Sequence, residues 1–177
     1  MIQVVLVDDH ALIRRGLRET LAEAGDIEVV GEAGDYGSLR ELLRRQDCEV
    51  MLLDVNLPGR SGIEVLESLA AEQSPIRVVM LSQHPEDQYG LRALRCGAMG
   101  YLNKSANPAQ IVEAVRAVAA GRKYLTPSIA HLLLDAVTGK NADRPHEQLS
   151  EREMQTLLLI ARGKRLSEIA ESLSLSP

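Results

Sequence analysis

Asp8 and Asp9, in the run VVLVDDH (Val4 to His10), and Asp54, in EVMLLDVNLPGRSG (Glu49 to Gly62), are carboxylates placed at the ends of apolar stretches. A buried strand that ends on a charge must have something to hold that charge. If the fold gathers the three, they repel. Two carboxylates about 4 Å apart cost about 4 kcal/mol at an effective dielectric near 20, so either a proton is retained or a cation sits between them. An all-oxygen donor set favours Mg2+, which keeps several waters and uses one or two carboxylates together with phosphate oxygens. An aspartate in that setting can be a nucleophile and carry an aspartyl phosphate. Ser82 and Lys104 offer the complementary groups, a hydroxyl for one phosphoryl oxygen and a point charge for another.

Those side chains need a scaffold that brings them to one edge. The first ~120 residues alternate short apolar runs with helical periodicity, the pattern of a doubly wound parallel α/β sheet. Strands are expected at Val4–Val7, Glu28–Glu32, Val50–Leu53, Arg77–Leu81 and Met99–Leu102. Ile13, Leu17 and Leu21 share one helical face, as do Ile63, Leu66 and Leu69, and Ile111, Val115 and Val118. In such a sheet, ligands bind outside the carboxyl ends of the strands, near the reversal of strand order. Asp8, Asp9, Asp54, Ser82 and Lys104 all fall at those ends. Singly, each has a plainer role: Asp8 or Asp9 as a helix cap before Ala11, Ser82 as a strand end, Lys104 as a solvated charge.

The bulk numbers narrow the classes. The chain has 177 residues, is 45% hydrophobic and 25% charged, and carries a formal charge of −5, so nothing global marks a nucleic-acid binder. No apolar run spans a bilayer, and the N-terminus lacks a secretory signal, so cytoplasmic residence is expected. Cys48 and Cys96 have no metal-ligand spacing and read as free thiols.

The motifs VDDH, LLDVNLPGRSG, MLS and GYLNKS, in this order, resemble the receiver domain of two-component response regulators over about residues 1–121. The resemblance implies a flavodoxin-like fold in which Asp54 accepts a phosphoryl group from a histidine kinase. Asp8, Asp9, Asp54 and the backbone carbonyl of Asn56 would hold Mg2+, with Asp8 acting through water. Ser82 and Lys104 would grip the phosphoryl group. Tyr101 would turn inward when Ser82 moves, changing a face made by the fourth helix, fifth strand and fifth helix. That face is expected to include Tyr89, Arg92, Arg95 and Gln110 and to serve as a dimer or interdomain contact. Asn56 and His84 fall where the family tunes dephosphorylation, and His10 reads as a local loop contact.

Residues 122–146 are expected to form a linker with one helix, capped by Thr126 with Pro127 in its first turn, striped by Ile129, Leu132, Leu133 and Ala136, and ended by Gly139. From 147 to 177, LSEREMQTLLLIARGKRLSEIAESLSLS resembles the first half of the LuxR-type helix-turn-helix domain of NarL/FixJ-class regulators, an all-α domain. Ser150 and Glu153 would form a capping box at its start. The recognition helix would lie beyond Pro177, and residues 147–177 carry four basic and five acidic side chains. The expectation is therefore that the natural protein binds DNA while these 177 residues bind it poorly. The leading function is a phosphorylation-dependent switch controlling transcription and not an enzyme beyond self-phosphorylation and autodephosphorylation. The alternatives are an interaction or homodimerisation switch and a Mg2+-dependent phosphohydrolase. Against the last, Asn56 stands two residues after Asp54, where such enzymes place an acid.

Overall fold

The computed structural model describes residues 1–137, and the expectations for Gly139 and for residues 147–177 lie outside them. The apolar runs become β1 (Ile2–Val7), β2 (Ile27–Ala33), β3 (Val50–Asp54), β4 (Arg77–Ser82) and β5 (Gly100–Asn103). Between and after them come α1 (Ala11–Glu23), α2 (Tyr36–Leu43), α3 (Gly62–Ala71), α4 (Glu86–Arg95), α5 (Pro108–Ala119) and α6 (Pro127–Val137). The strands pair in parallel in the order β2-β1-β3-β4-β5. The chain runs outward from β1 to β2, then returns to build the other side from β3, so the order reverses between β1 and β3.

Successive strand side chains point to opposite faces. Val4, Leu6, Val50, Leu52, Val79, Leu81 and Leu102 join Leu17 and Leu21 of α1 and Ile111, Val115 and Val118 of α5 in one core cluster. Residues of the other parity, among them Val5, Val7, Met51, Leu53, Val78 and Met80, are equally buried on the face that carries α2, α3 and α4. Both faces are covered, which is why these strands are apolar throughout instead of alternating.

Local chemistry sets the helix starts. Asp35 with Ser38, Ser61 with Glu64, and Asn107 with Gln110 form capping boxes at α2, α3 and α5, and each such cap is worth about 1 kcal/mol. α1 starts without one: its N-cap is His10, whose side chain makes no cap bond. Neither Asp8 nor Asp9 caps it, because Asp8 Oδ1 instead accepts from the His10 amide at 2.8 Å, within its own loop.

Two departures from the regular pattern matter below. The β1–β2 register slips between Val4↔Val29 and Val5↔Gly31, so β2 contains a bulge at Val30. After α5 the chain comes back to the sheet, where the Tyr124 amide donates to the Met99 carbonyl at 2.8 Å. Residues Met1–Leu134 thus form one compact unit, and Asp135–Pro177 are assigned to a second. Within the first, Thr126 Oγ1 accepts from the Ile129 amide at the start of α6, and Ile129 is fully buried. Among the described residues, no helix is long and apolar enough to cross a membrane.

Candidate functional site

Parallel register sets the polar residues side by side. Val7 is paired with Leu53, Leu53 with Met80, and Ser82 with Asn103, so the carboxyl ends of β1, β3, β4 and β5 lie along one edge. Asp54 is the last residue of β3 and Ser82 the last of β4, while Asp8 and Lys104 follow β1 and β5 directly. The Lys104 amide donates to the Ser82 carbonyl at 2.8 Å, which fixes the lysine at the end of the sheet.

The lysine side chain, only 5% exposed, reaches back between two carboxylates that are each 1% exposed: Nζ stands 2.6 Å from Asp8 Oδ2 and 2.7 Å from Asp54 Oδ2. Burial is the main influence on Asp54 and pushes its carboxyl up to about 6; Lys104 pulls it back, and the Asp8 charge adds to the rise. For Lys104, burial works against the charge, but hydrogen bonds and attraction from Asp54 and Asp8 outweigh it and the ammonium is held above its ordinary value. One cation thus serves two buried carboxylates, an arrangement short of positive charge.

Asp9 is on the rim. His10 Nδ1 lies 2.7 Å from Asp9 Oδ1 and 3.1 Å from Asp8 Oδ1, so His10 is the local loop contact expected of it. Ligand atoms of Asp8, Asp9, His10 and Asp54 all fall within 4.8 Å of one another, close enough to hold one metal ion. Three carboxylates supply the hard oxygens that Mg2+ requires, and the buried Asp8 Oδ2 has no hydrogen bond of its own beyond its ion pair with Lys104, so donor set and charge fit the cation. The Asn56 amide donates to Asp54 Oδ1 at 3.2 Å and so orients the carboxylate from below.

The remaining expected residues form a second layer. Ser82 is fully buried, and its Oγ accepts from the His84 amide at 3.0 Å. The His84 carbonyl accepts from Asn103 Nδ2 at 3.2 Å, and the Tyr101 hydroxyl stands 3.5 Å from the same oxygen. Tyr101 is fully buried, its ring already inside. Tyr89 does not belong to an exposed face: it is 1% exposed, and its ring sits 5.2 Å from that of His84. The expected contact face of the fourth helix included it; its ring instead packs inward against His84, two residues past the end of β4.

Some contributors went unnoticed in the sequence. Gly62, the first residue of α3, donates its amide to the Val55 carbonyl at 2.8 Å, and a Cβ there would stand 2.0 Å from the Asp54 carbonyl oxygen. A glycine at the start of a helix, behind a Pro-Gly turn, was the available signal. Arg60 lies over the Tyr36 ring at 4.4 Å and bonds Ser68, tying the loop after Asp54 to α2 and α3.

Comparison with known proteins follows the same lines. Residues 4–116 match the family described as the response regulator receiver domain. The response regulator UvrY of Escherichia coli K12 is 37% identical over 178 residues, covering this whole chain and 82% of that protein. The response regulator GacA of Pseudomonas aeruginosa is 38% identical over 178 residues and is covered to 83%. Among solved structures, a LuxR-family two-component response regulator from Aurantimonas sp. SI85-9A1 superposes with a TM-score of 0.70 at 32% identity, over 77% of this chain and 97% of that one. RcsB from Salmonella enterica serovar Typhimurium, bound to a promoter in the presence of the phosphomimetic BeF3−, gives 0.72 at 25% identity, over 99% of this chain and 84% of that one.

Proposed function

The chain belongs to the response regulator receiver family, and from that premise we propose that it accepts a phosphoryl group on Asp54 from a histidine kinase and passes the change to an output that controls transcription. The observation that carries this reading is the Asp54 carboxylate, buried at a strand end, raised by burial, paired to Lys104 and gathered with Asp8 and Asp9.

In the reaction, an Asp54 Oδ attacks phosphorus as the P–N bond of a phosphohistidine breaks; the leaving imidazole keeps the bonding pair and takes a proton from solvent. Asp8, Asp9, Asp54 and the Asn56 carbonyl would hold Mg2+, which would supply positive charge to offset the phosphoryl oxygens. Lys104 gives up Asp54 Oδ2 and takes a phosphoryl oxygen instead. Ser82 turns its hydroxyl from the His84 amide toward another, and the His84 carbonyl keeps Tyr101 inside. Asn56 and His84 would tune how long the group stays. Phosphorylation adds about one further negative charge and three acceptor oxygens, so it favours whichever state of the β4–α4 segment meets those oxygens with donors. Promoter binding by RcsB supports a DNA output, and RcsB dimers bound to DNA support a second copy of the chain as the partner in it.

The test is uptake of one phosphoryl group, read by intact mass, from a small acyl phosphate with Mg2+. The wild-type chain gains it, and Asp54→Asn does not. Labelling of Asp54→Asn at the wild-type rate would refute the assignment.

A further inference from the structure

The acidic loop hangs from a side chain that the chemistry above does not use. Arg14, on the second turn of α1, donates from Nη1 to the main-chain carbonyl of Asp8 at 2.6 Å, and from Nε to Glu32 Oε2 at 3.0 Å. Its side chain is 19% exposed and that of Glu32 is 20% exposed, so this is a half-buried brace and not a surface pair. Arg18, one turn on, also meets Glu32. The guanidinium passes 3.7 Å from where a Cβ on Gly34 would stand, an ordinary van der Waals contact.

The bulge in β2 puts Glu32 there. Ile27 and Val29 face the cluster shared with α1 and α5. Regular alternation would send Gly31 the same way and Glu32 to the opposite face. Instead the register slips at Val30, and Gly31 faces Leu42 of α2, whose Cδ1 would be 2.7 Å from a Cβ on it. Glu32 is thereby turned to α1 and its two arginines. Bulges re-aim side chains in this way, often beside functional sites.

We propose that Arg14, held by the bulge-directed Glu32, is a positioning residue that fixes the Asp8 carbonyl and so sets Asp8 and Asp9 toward Asp54 for divalent-cation binding; this rests on the reading of Asp54 as a Mg2+-dependent phosphoacceptor. The guanidinium fork bridges one carboxylate and one carbonyl in fixed geometry, which an ammonium cannot reproduce. Supporting groups behind metal ligands are worth about 10–100-fold in metal affinity.

The sign of the effect separates positioning from simple electrostatics. Removing a cation from the neighbourhood of an Mg2+ site tightens binding by Coulomb's law; removing a brace weakens it. The full chain is titrated with Mg2+ alone, following the amide resonances of Asp8 to His10 and Asp54, and acyl phosphate uptake is measured against Mg2+ concentration. Arg14→Ala weakens Mg2+ binding by about tenfold or more, raises the Mg2+ concentration for half-maximal uptake in step, and leaves the rate at saturating Mg2+ within about twofold. Metal-free amide exchange at Asp8 to His10 speeds up. Arg14→Lys falls between, and stands as the deciding variant if Arg14→Ala does not fold. Arg15→Ala, which removes the same charge from an exposed Arg15–Glu19 pair, changes nothing. Unchanged or tighter Mg2+ binding in both Arg14 variants overturns the positioning role while leaving the phosphoacceptor reading intact. A wild-type chain with no Mg2+ response and no phosphoryl uptake overturns both.

Discussion

Replacing Asp54 by Asn stabilises the protein at alkaline pH, by an amount that follows from the burial of the carboxyl. Burial raises the Asp54 carboxyl to about 6 in the fold, against 3.8 for a free side chain. A gap of about two pH units, at 1.36 kcal/mol each, makes the ionised carboxylate cost the folded chain about 3 kcal/mol. Because the folded value is the higher, the folded state binds the extra proton: Asp54 weakens the fold as pH rises from about 4 through 6, and the full cost is in place above that. Asn keeps the shape without the charge, and Lys104 still has Asp8 at 2.6 Å, so no ammonium is stranded. Asp54→Asn therefore gains about 3 kcal/mol at pH 8, about half of that near pH 5, and nothing below pH 3.8. The measurement is urea unfolding in EDTA, read by tyrosine emission. All four tyrosines lie in residues 1–134 and the chain has no tryptophan, so the signal reports that unit alone. Mg2+ at a hundred times its dissociation constant stabilises the wild type by about 2.7 kcal/mol and closes most of the gap. Equal stability of the two proteins at pH 8, or a difference that does not change between pH 4 and 8, would refute the reasoning.

Two glycines test the packing around the site. Gly62→Ala brings a methyl to 2.0 Å from the Asp54 carbonyl oxygen and 3.1 Å from Met80 Cε; with backbone on one side, it costs about 3 kcal/mol or more in urea unfolding, and wild-type stability would show that α3 can shift freely. Gly90→Val crowds Ile129, whose Cδ1 lies 3.3 Å from a Cβ at that position, and loosens α6 from α4. It costs about 1–3 kcal/mol and speeds amide exchange across residues 127–134, whereas unaltered exchange there would mean Ile129 repacks without strain.

The fold was largely legible because its signals are local. Continuous apolar runs marked all five strands, and the errors were of one or two residues: β3 includes Asp54 and β4 includes Ser82, so the polar residue ends the strand instead of following it. The site was legible for the same reason, since Asp8, Asp54, Ser82 and Lys104 are polar residues at the ends of runs that have no other cause to stop on a charge. Tyr89, expected on the contact face of the fourth helix, is buried with its ring against that of His84. Helical spacing says which residues share a face, but not which side chain of the preceding loop one of them will pack against.

Glu32 shows a deeper limit. Read with a period of two, VVGEA places Glu32 on the side of Glu28, which is solvent-exposed in the structure, and an ordinary surface charge follows. One extra residue in the ladder reverses every later side chain, and the pattern on either side of Val30 looks the same with or without it. Gly31 was the one local sign, since a glycine inside a strand often marks a bulge. Its meaning becomes clear only when Leu42 occupies the space where its side chain would be. The residues that do chemistry stand out because they break a pattern, while those that aim them are set by a register that the pattern does not encode.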